Sequence, residues 1–279
     1  MITIGLTGWS DHALIQRNPR RKLEEYAGHF PVVELDTSFY AIPRQQTILN
    51  WIEKTPDRFQ FFPKAYSIMT LHKPFEEEFD SMQDVFDAYL TAFKPMLDQN
   101  RVKAFLFQFP PNFDCVKKHV NYLRYVKTKM DDLPIAVEFR NPSWFSETNK
   151  ERTLAFLKEC GWANVIVDQP QTPNNSVPLI REVTSPALSV IRLHGRNYEG
   201  WLGENVTDWR AERTLYDYTL KEIEELSEWV RQLNLEAKEV CIIFNNNSGG
   251  HAAANAKILQ KLLGIDFTGL APKQLDLFS

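Results

Sequence analysis

The chain is short of nearly every feature that announces a function on its own. Its 279 residues include only three cysteines, Cys115, Cys160 and Cys241, too few and too widely spaced for a disulfide framework or a CxxC zinc site. Neither GxGxxG nor GxxxxGK[ST] occurs, so nucleotide binding through those loops has no support. HExxH is missing too. No uninterrupted apolar run approaches membrane-spanning length, and Ile2 to Trp9 lack the basic and apolar regions of a secretory leader. With the sparse cysteines, this gives the expectation of a cytoplasmic protein that neither spans a membrane nor is secreted. An excess of positive charge is also lacking: 32 Lys and Arg against 36 Asp and Glu leave a net charge of −4. That excludes a generally basic coat for duplex DNA, so any anion site must be local.

What is present is an ordinary globular composition, 43% hydrophobic and 24% charged, with enough apolar residues to build a core. Short apolar runs recur along the chain, most followed by a segment of helical period. Eight strands are expected, at about 2–8, 32–38, 59–64, 103–109, 134–140, 163–168, 188–194 and 239–245. Eight is the number of a (βα)8 TIM-type barrel, and one such barrel accounts for this length as a single domain. An open doubly wound sheet is the structural alternative, but it normally offers fewer strands and one Gly-rich turn.

The clearest helix carries Met82, Val85, Phe86, Tyr89, Leu90, Phe93 and Leu97 at three-and-four spacing. Similar stripes run through Leu23 to Phe30, Val116 to Leu123, Leu220 to Leu233 and Ala252 to Leu263. The stretch 169–187 holds Pro170, Pro173, Pro178 and Pro186 without helical period, so a long loop is expected in place of the sixth helix. The barrel domain is drawn over residues 1–264 and a C-terminal tail over 265–279.

In such a barrel the reacting groups come from the carboxyl ends of the strands. Those ends are polar throughout: Glu34 and Asp36 with Tyr40 beyond, Lys64, Gln108, Glu138 and Arg140 with Trp144 beyond, Asp168, Arg192 and His194, then Asn245 and Asn246. Strand alternation points Glu34 with Asp36, Glu138 with Arg140, and Arg192 with His194 toward one lumen. Lys64, Arg140 and Arg192 are the candidates for holding a phosphate or carboxylate, and Glu138, Asp168 and His194 for acid/base work. Glu34 and Asp36 support them, with Asn245, Asn246, Tyr40 and Trp144 orienting the ligand. Buried ion pairs that merely fill the barrel top are the competing reading for any one residue. If Arg140 and Arg192 serve the anion alone, their removal should hardly affect stability.

No cofactor is assigned. A divalent ion on Glu34, Glu138, Asp168 and His194 is the lesser reading, because the three nearby cations would repel it. His12, His29, His72, His119 and His251 are read as surface or capping residues. The aromatics that follow strand ends, including Trp9, Phe39 and Trp201, serve either as a stacking platform or as loop packing. Ser248-Gly249-Gly250 fits a phosphate turn or a simple helix start.

Taken in order, Gly5-Leu6-Thr7-Gly8-Trp9, Glu34 to Tyr40, Phe59 to Lys64, Gln108-Phe109-Pro110-Pro111, Glu138-Phe139-Arg140, Asp168-Gln169-Pro170, Arg192-Leu193-His194-Gly195 and Phe244-Asn245-Asn246 resemble the YecE-like family, domain of unknown function 72. The resemblance spans about Gly5 to Leu263 and implies a TIM-type barrel, without implying a reaction. Thr7 stands where the family pattern leads one to expect serine. A second resemblance lies at the end: Gln274-Leu275-Asp276-Leu277-Phe278 is similar to the pentapeptide by which bacterial replication and repair proteins dock on the DNA sliding clamp. An exposed tail is where such a peptide belongs, although its apolar residues could instead pack on the barrel. These readings together suggest a hydrolase or lyase acting on a phosphate-containing substrate, or alternatively a non-catalytic clamp-associated module that binds nucleic acid or protein.

Overall fold

A computed structural model describes residues 1–272 apart from 16, 17, 19, 174, 175 and 204–207. All eight expected strands form: β1 Ile2–Thr7, β2 Val32–Leu35, β3 Gln60–Pro63, β4 Phe105–Gln108, β5 Ile135–Glu138, β6 Ala163–Asp168, β7 Leu188–Leu193 and β8 Glu239–Phe244. They pair in parallel in the order β3-β2-β1-β8-β7-β6-β5-β4. Bridges from Phe61 to Val102 and from Lys64 to Leu106 bring the two edges together. The result is a nearly closed (βα)8 barrel in one domain.

Helices at Lys22–Ala27, Met82–Asp98, Lys117–Met130, Leu220–Glu236 and His251–Leu262 coincide with the apolar stripes. Two of them begin at side-chain caps, which satisfy backbone donors that the helix itself cannot. Ser81 Oγ accepts from the Asp84 N–H, and Thr219 forms a reciprocal capping box with Glu222. Helices at Gln45–Glu53 and Lys150–Cys160 were not singled out by periodicity. Between β6 and β7 no helix occurs among the described residues, and side chains hold this loop instead. Thr184 Oγ1 donates to the Trp162 carbonyl (2.7 Å) and accepts from the Asn164 N–H (2.6 Å). Four prolines, which lack N–H donors, leave it no helical alternative.

Alternation along the strands creates two apolar cores. Val32, Phe62, Leu106, Ala136, Val165, Val167, Val190, Cys241 and Ile243 fill the lumen, while Ile4, Leu6, Val33, Phe105, Phe107 and Ile191 face the helices. β1 contributes Gly5 to the inner wall because a Cβ there would stand 2.3 Å from the Val32 carbonyl oxygen. The lumen core is thus shut by apolar side chains, and the polar residues above it stand at the carboxyl-end mouth. At the other end Lys103 pairs with Glu239, which also accepts from Thr3 Oγ1 at 2.7 Å.

The first residues past Gly264 run along the barrel. Phe267 packs against the outer core, and the Ala271 N–H donates to the Ala27 carbonyl at 3.0 Å. Gln274, Leu275, Asp276, Leu277 and Phe278 lie outside the described residues.

Candidate active site

Arg192 is the centre of the mouth. It follows Val190 on the inward face of β7 and is 1% exposed. Its Nε and Nη2 donate to the two oxygens of Glu34, at 2.8 and 2.7 Å. Its Nη1 donates to Glu138 Oε2. Three donor atoms of one guanidinium are thereby committed to two carboxylates from β2 and β5, a planar arrangement that lysine could not reproduce. The other oxygen of Glu138 accepts from Gln108 Nε2 at 3.0 Å. Arg140 Nε lies 2.6 Å from that same oxygen as a charge contact, without an aligned hydrogen bond.

The remaining Arg140 nitrogens reach upward, Nη1 to Gln169 Oε1 at 3.3 Å and Nη2 to His194 Nε2 at 3.1 Å. A guanidinium only donates, so Nε2 is the acceptor and the imidazole proton sits on Nδ1. The Asn245 amide nitrogen stands 2.7 Å from Nδ1, so this tautomer requires the amide to be flipped, with its oxygen accepting from that N–H. Burial, reinforced by Arg140, holds His194 well below the ordinary histidine range. The two carboxyls diverge. Burial would raise Glu138, but Arg140 and Arg192 reverse it and hold the group well below the usual range. At Glu34 burial prevails over Arg192, and the group sits above its ordinary value.

Lys64 stands at the edge of this floor. Its ammonium donates to Asp36 Oδ1 at 2.8 Å and lies 4.5 Å above the Phe39 ring. Trp201, from the short helix Tyr198–Leu202, covers the centre: its ring is 6.2 Å from that of His194 and 5.6 Å from the Arg140 guanidinium. Glu34, Lys64, Glu138, Arg140, Arg192, His194 and Asn245 are therefore gathered at one end of the barrel. A cleft at the opposite end, with Lys127, Cys160 and Glu239 in its wall, is remote from this cluster.

Four expectations change. Asp168 faces the helices, because Val165 and Val167 take the inward positions of β6. It accepts from Arg196 Nη2 at 2.9 Å and from the Tyr218 hydroxyl at 2.6 Å, which secures the loop after β7. Asn246 is outward for the same reason of parity: it is fully buried, and its amide nitrogen donates to the Tyr216 carbonyl and to Asn255 Oδ1, both at 2.8 Å. Trp144 is 2% exposed, stacked on Phe139 at 4.2 Å and bonded through Nε1 to the Phe113 carbonyl, so it is loop packing. Arg192 is already engaged by carboxylates and has no edge left for an anion.

Tyr40 is half exposed beside Phe39, on the rim. The four-ligand metal arrangement does not assemble, since Asp168 leaves it, and no group of three metal-ligating side chains occurs among the described residues. Sequence reasoning missed Arg196 and His72. His72 is held against Phe39 at 4.8 Å, and only its place after the Lys64 strand end could have signalled it.

The fold and this floor of paired charges define a (βα)8-barrel protein with a polar carboxyl-end mouth. The family profile described as "Protein of unknown function DUF72" matches residues 3–276, and the chain belongs to that family. The UPF0759 protein YunF of Bacillus subtilis (strain 168) is 46% identical over 282 residues, covering 100% of both chains. The UPF0759 protein YecE of Escherichia coli (strain K12) is 28% identical over 245 residues, 77% of this chain and 85% of YecE. A crystal structure of a DUF72 family protein from Enterococcus faecalis V583 superposes with a TM-score of 0.94 at 43% identity, covering 99% of this chain and 100% of that one. A second, from Thermotoga maritima MSB8, gives 0.81 at 29% identity and covers 95% and 100%.

Two outcomes follow from the floor. Arg192→Met should lower unfolding free energy by roughly 3–5 kcal/mol, because Glu34 and Glu138 are then buried without their shared partner. Denaturant titration measures it, and a loss below about 1 kcal/mol would return Arg192 to a dispensable role. The second concerns pH. Burial lowers His194, His72 and His12, the last 1% exposed with Nε2 3.1 Å from the Gly8 carbonyl oxygen. Each imidazole binds its proton more weakly folded than unfolded. Stability should therefore fall as pH drops below about 6.5, by up to ~1.4 kcal/mol per pH unit for each buried ring and by less for His72, which meets solvent. Midpoints recorded between about pH 7 and pH 5 test this, with His12→Asn removing its share of the slope.

Proposed function

We propose that the chain is a cytoplasmic enzyme that draws a small phosphate-bearing anion to the carboxyl-end mouth and moves a proton there through His194, with Glu138 as the carboxylate that steadies the imidazolium. The observation that carries this reading is the gathering of Lys64, Arg140, His194 and Glu138 at one mouth. After desolvation, the first cause of its lowered value, Lys64 and Arg140 both oppose protonation of His72, so two cations of the mouth act on one imidazole at the rim of a chain whose net charge is −4. Glu34 and Glu138 are matched by Arg192 and Arg140, which leaves Lys64 and the outer edge of Arg140 to attract the ligand. Asp36, on the rim, takes one donor of an ammonium that has three.

His194 is a neutral base whose Nε2 accepts from Arg140 Nη2 and lies 3.4 Å from the Glu138 carboxylate, so it takes up a proton when the Arg140 contact is given up. Protonated, it would gain that carboxylate as a partner, which suits transient proton acceptance in hydrolase or lyase chemistry. Because His194 is fully buried, a reacting group reaches it only when Trp201 and its short helix shift, a gating step of the kind barrel loops perform. Asp168 has no part in this reading.

The tail supplies a separate reading from sequence. Gln274 as polar anchor, with Leu277 and Phe278 as adjacent plugs, suits a preformed apolar pocket such as that of the bacterial sliding clamp. Docking there would make DNA, or a product of its repair, the source of the phosphate.

Calorimetric titration with inorganic phosphate should give binding in the millimolar range or tighter. Lys64→Met, which keeps the buried stem on Phe39 and removes the charge, should weaken it at least about tenfold with the thermal midpoint retained. Failure of the wild-type protein to bind phosphate removes the anion reading. For the tail, a peptide spanning Gln274 to Ser279 should bind purified clamp at micromolar concentrations, and the full chain carrying Leu277→Ala with Phe278→Ala should not, with its thermal midpoint unchanged. No binding by the wild-type chain ends the DNA connection. Clamp binding by a chain that turns over no phosphate ester would favour a non-catalytic module.

A further inference from the structure

His72 lies in the loop after β3, and three contacts fix how it meets the mouth. Its Nδ1 is 2.8 Å from Thr70 Oγ1. That hydroxyl donates to the Ser67 carbonyl at 3.3 Å, so it accepts from the imidazole, and the neutral ring carries its hydrogen on Nδ1. Nε2 is then the basic atom and points away from Thr70. The loop itself is pinned, with the Ser67 N–H donating to the Phe39 carbonyl and the His72 N–H to the Ser67 carbonyl, both at 2.9 Å.

The ring meets Phe39 edge-to-face, and the same phenyl carries the Lys64 ammonium at 4.5 Å. Imidazole and ammonium therefore share one aromatic support, which the turn after β2 supplies. Lys64 from the end of β3 and Arg140 from the end of β5 both oppose a charge on His72, and Asp36, bonded to the Lys64 ammonium at 2.8 Å, is the carboxylate paired with the first of them. Without an anion the two cations oppose protonation of Nε2. A dianion placed among them reverses the balance, because its charge adjoins Nε2 directly.

We propose that His72 is the third arm of the anion site: a phosphate dianion drawn in by Lys64 and Arg140 hydrogen-bonds to Nε2, which takes up one proton from solvent as the anion docks. The inference rests on the anion-site reading above and goes beyond it by making binding proton-coupled. It also gives the site a preference for a dianionic phosphate over a carboxylate. A monoanion supplies half the charge that favours the imidazolium against the opposing Lys64 and Arg140.

The test uses the full chain with 15N-labelled imidazoles and inorganic phosphate near neutral pH. His72→Gln identifies the His72 signals by their loss. The expected result is a neutral ring, protonated at Nδ1, without phosphate, and both nitrogens protonated at saturation. His72→Gln should bind phosphate about tenfold more weakly while folding normally. Phosphate binding with His72 still neutral at saturation overturns the inference and leaves the anion site standing, and so does unchanged affinity in His72→Gln. Absence of any phosphate binding by the wild-type chain instead removes the anion site, and this inference with it.

Discussion

The clasp of Arg192 by Glu34 and Glu138 is the constraint on which the upper half of the barrel depends. One guanidinium from β7 is held by carboxylates from β2 and β5, so three strands that are not neighbours are tied across the lumen. Removing three charges from water costs several kcal/mol apiece, and only saturation of their hydrogen-bonding groups offsets it. That saturation dictates the rest. The second oxygen of Glu138 is left for Gln108 and Arg140, and Arg140, held there, presents Nη2 to His194. The neutral state of His194, its tautomer and the orientation of Asn245 all descend from where Arg192 sits.

The barrel could be read from sequence because its strands are apolar runs separated by amphipathic helices, and both patterns survive without any tertiary information. The inward residues were readable where a strand mixes polar and apolar positions. Glu138 and Arg140 flank Phe139, and Arg192 and His194 flank Leu193, so their phase is visible. β6 offers no such phase, since Ala163 to Asp168 are buried on both faces. Asp168 was assigned to the lumen by its place at a strand end, and the parity set by Val165 and Val167 sends it the other way. Asn246 failed for the same reason, one residue past Asn245.

Other features depend on contacts that no local pattern records. The helix Gln45–Glu53 buries only Ile48 and Ile52, too few positions to form a stripe. Trp144 looks the same in sequence whether it stacks on a ligand or on Phe139. The stability role of Arg192 was hidden likewise, because a cation at a strand end is identical on paper whether its partner is an incoming phosphate or two carboxylates from other strands.

The geometry separates the mouth into two tiers with different physics. In the lower tier, Glu34 and Glu138 are matched by Arg140 and Arg192, the side chains are almost wholly buried, and each hydrogen bond limits its neighbour's freedom. Such a layer is rigid and close to neutral, so it adds little net field above itself. In the upper tier Asp36 and His72 meet solvent, while Lys64, itself 7% exposed, reaches out to Asp36. Because the lower tier cancels its own charge, the few groups of the upper tier set the sign of the potential. In that tier Lys64 is answered by Asp36 at 2.8 Å, so the rim is close to neutral at rest and turns positive only when His72 takes up a proton.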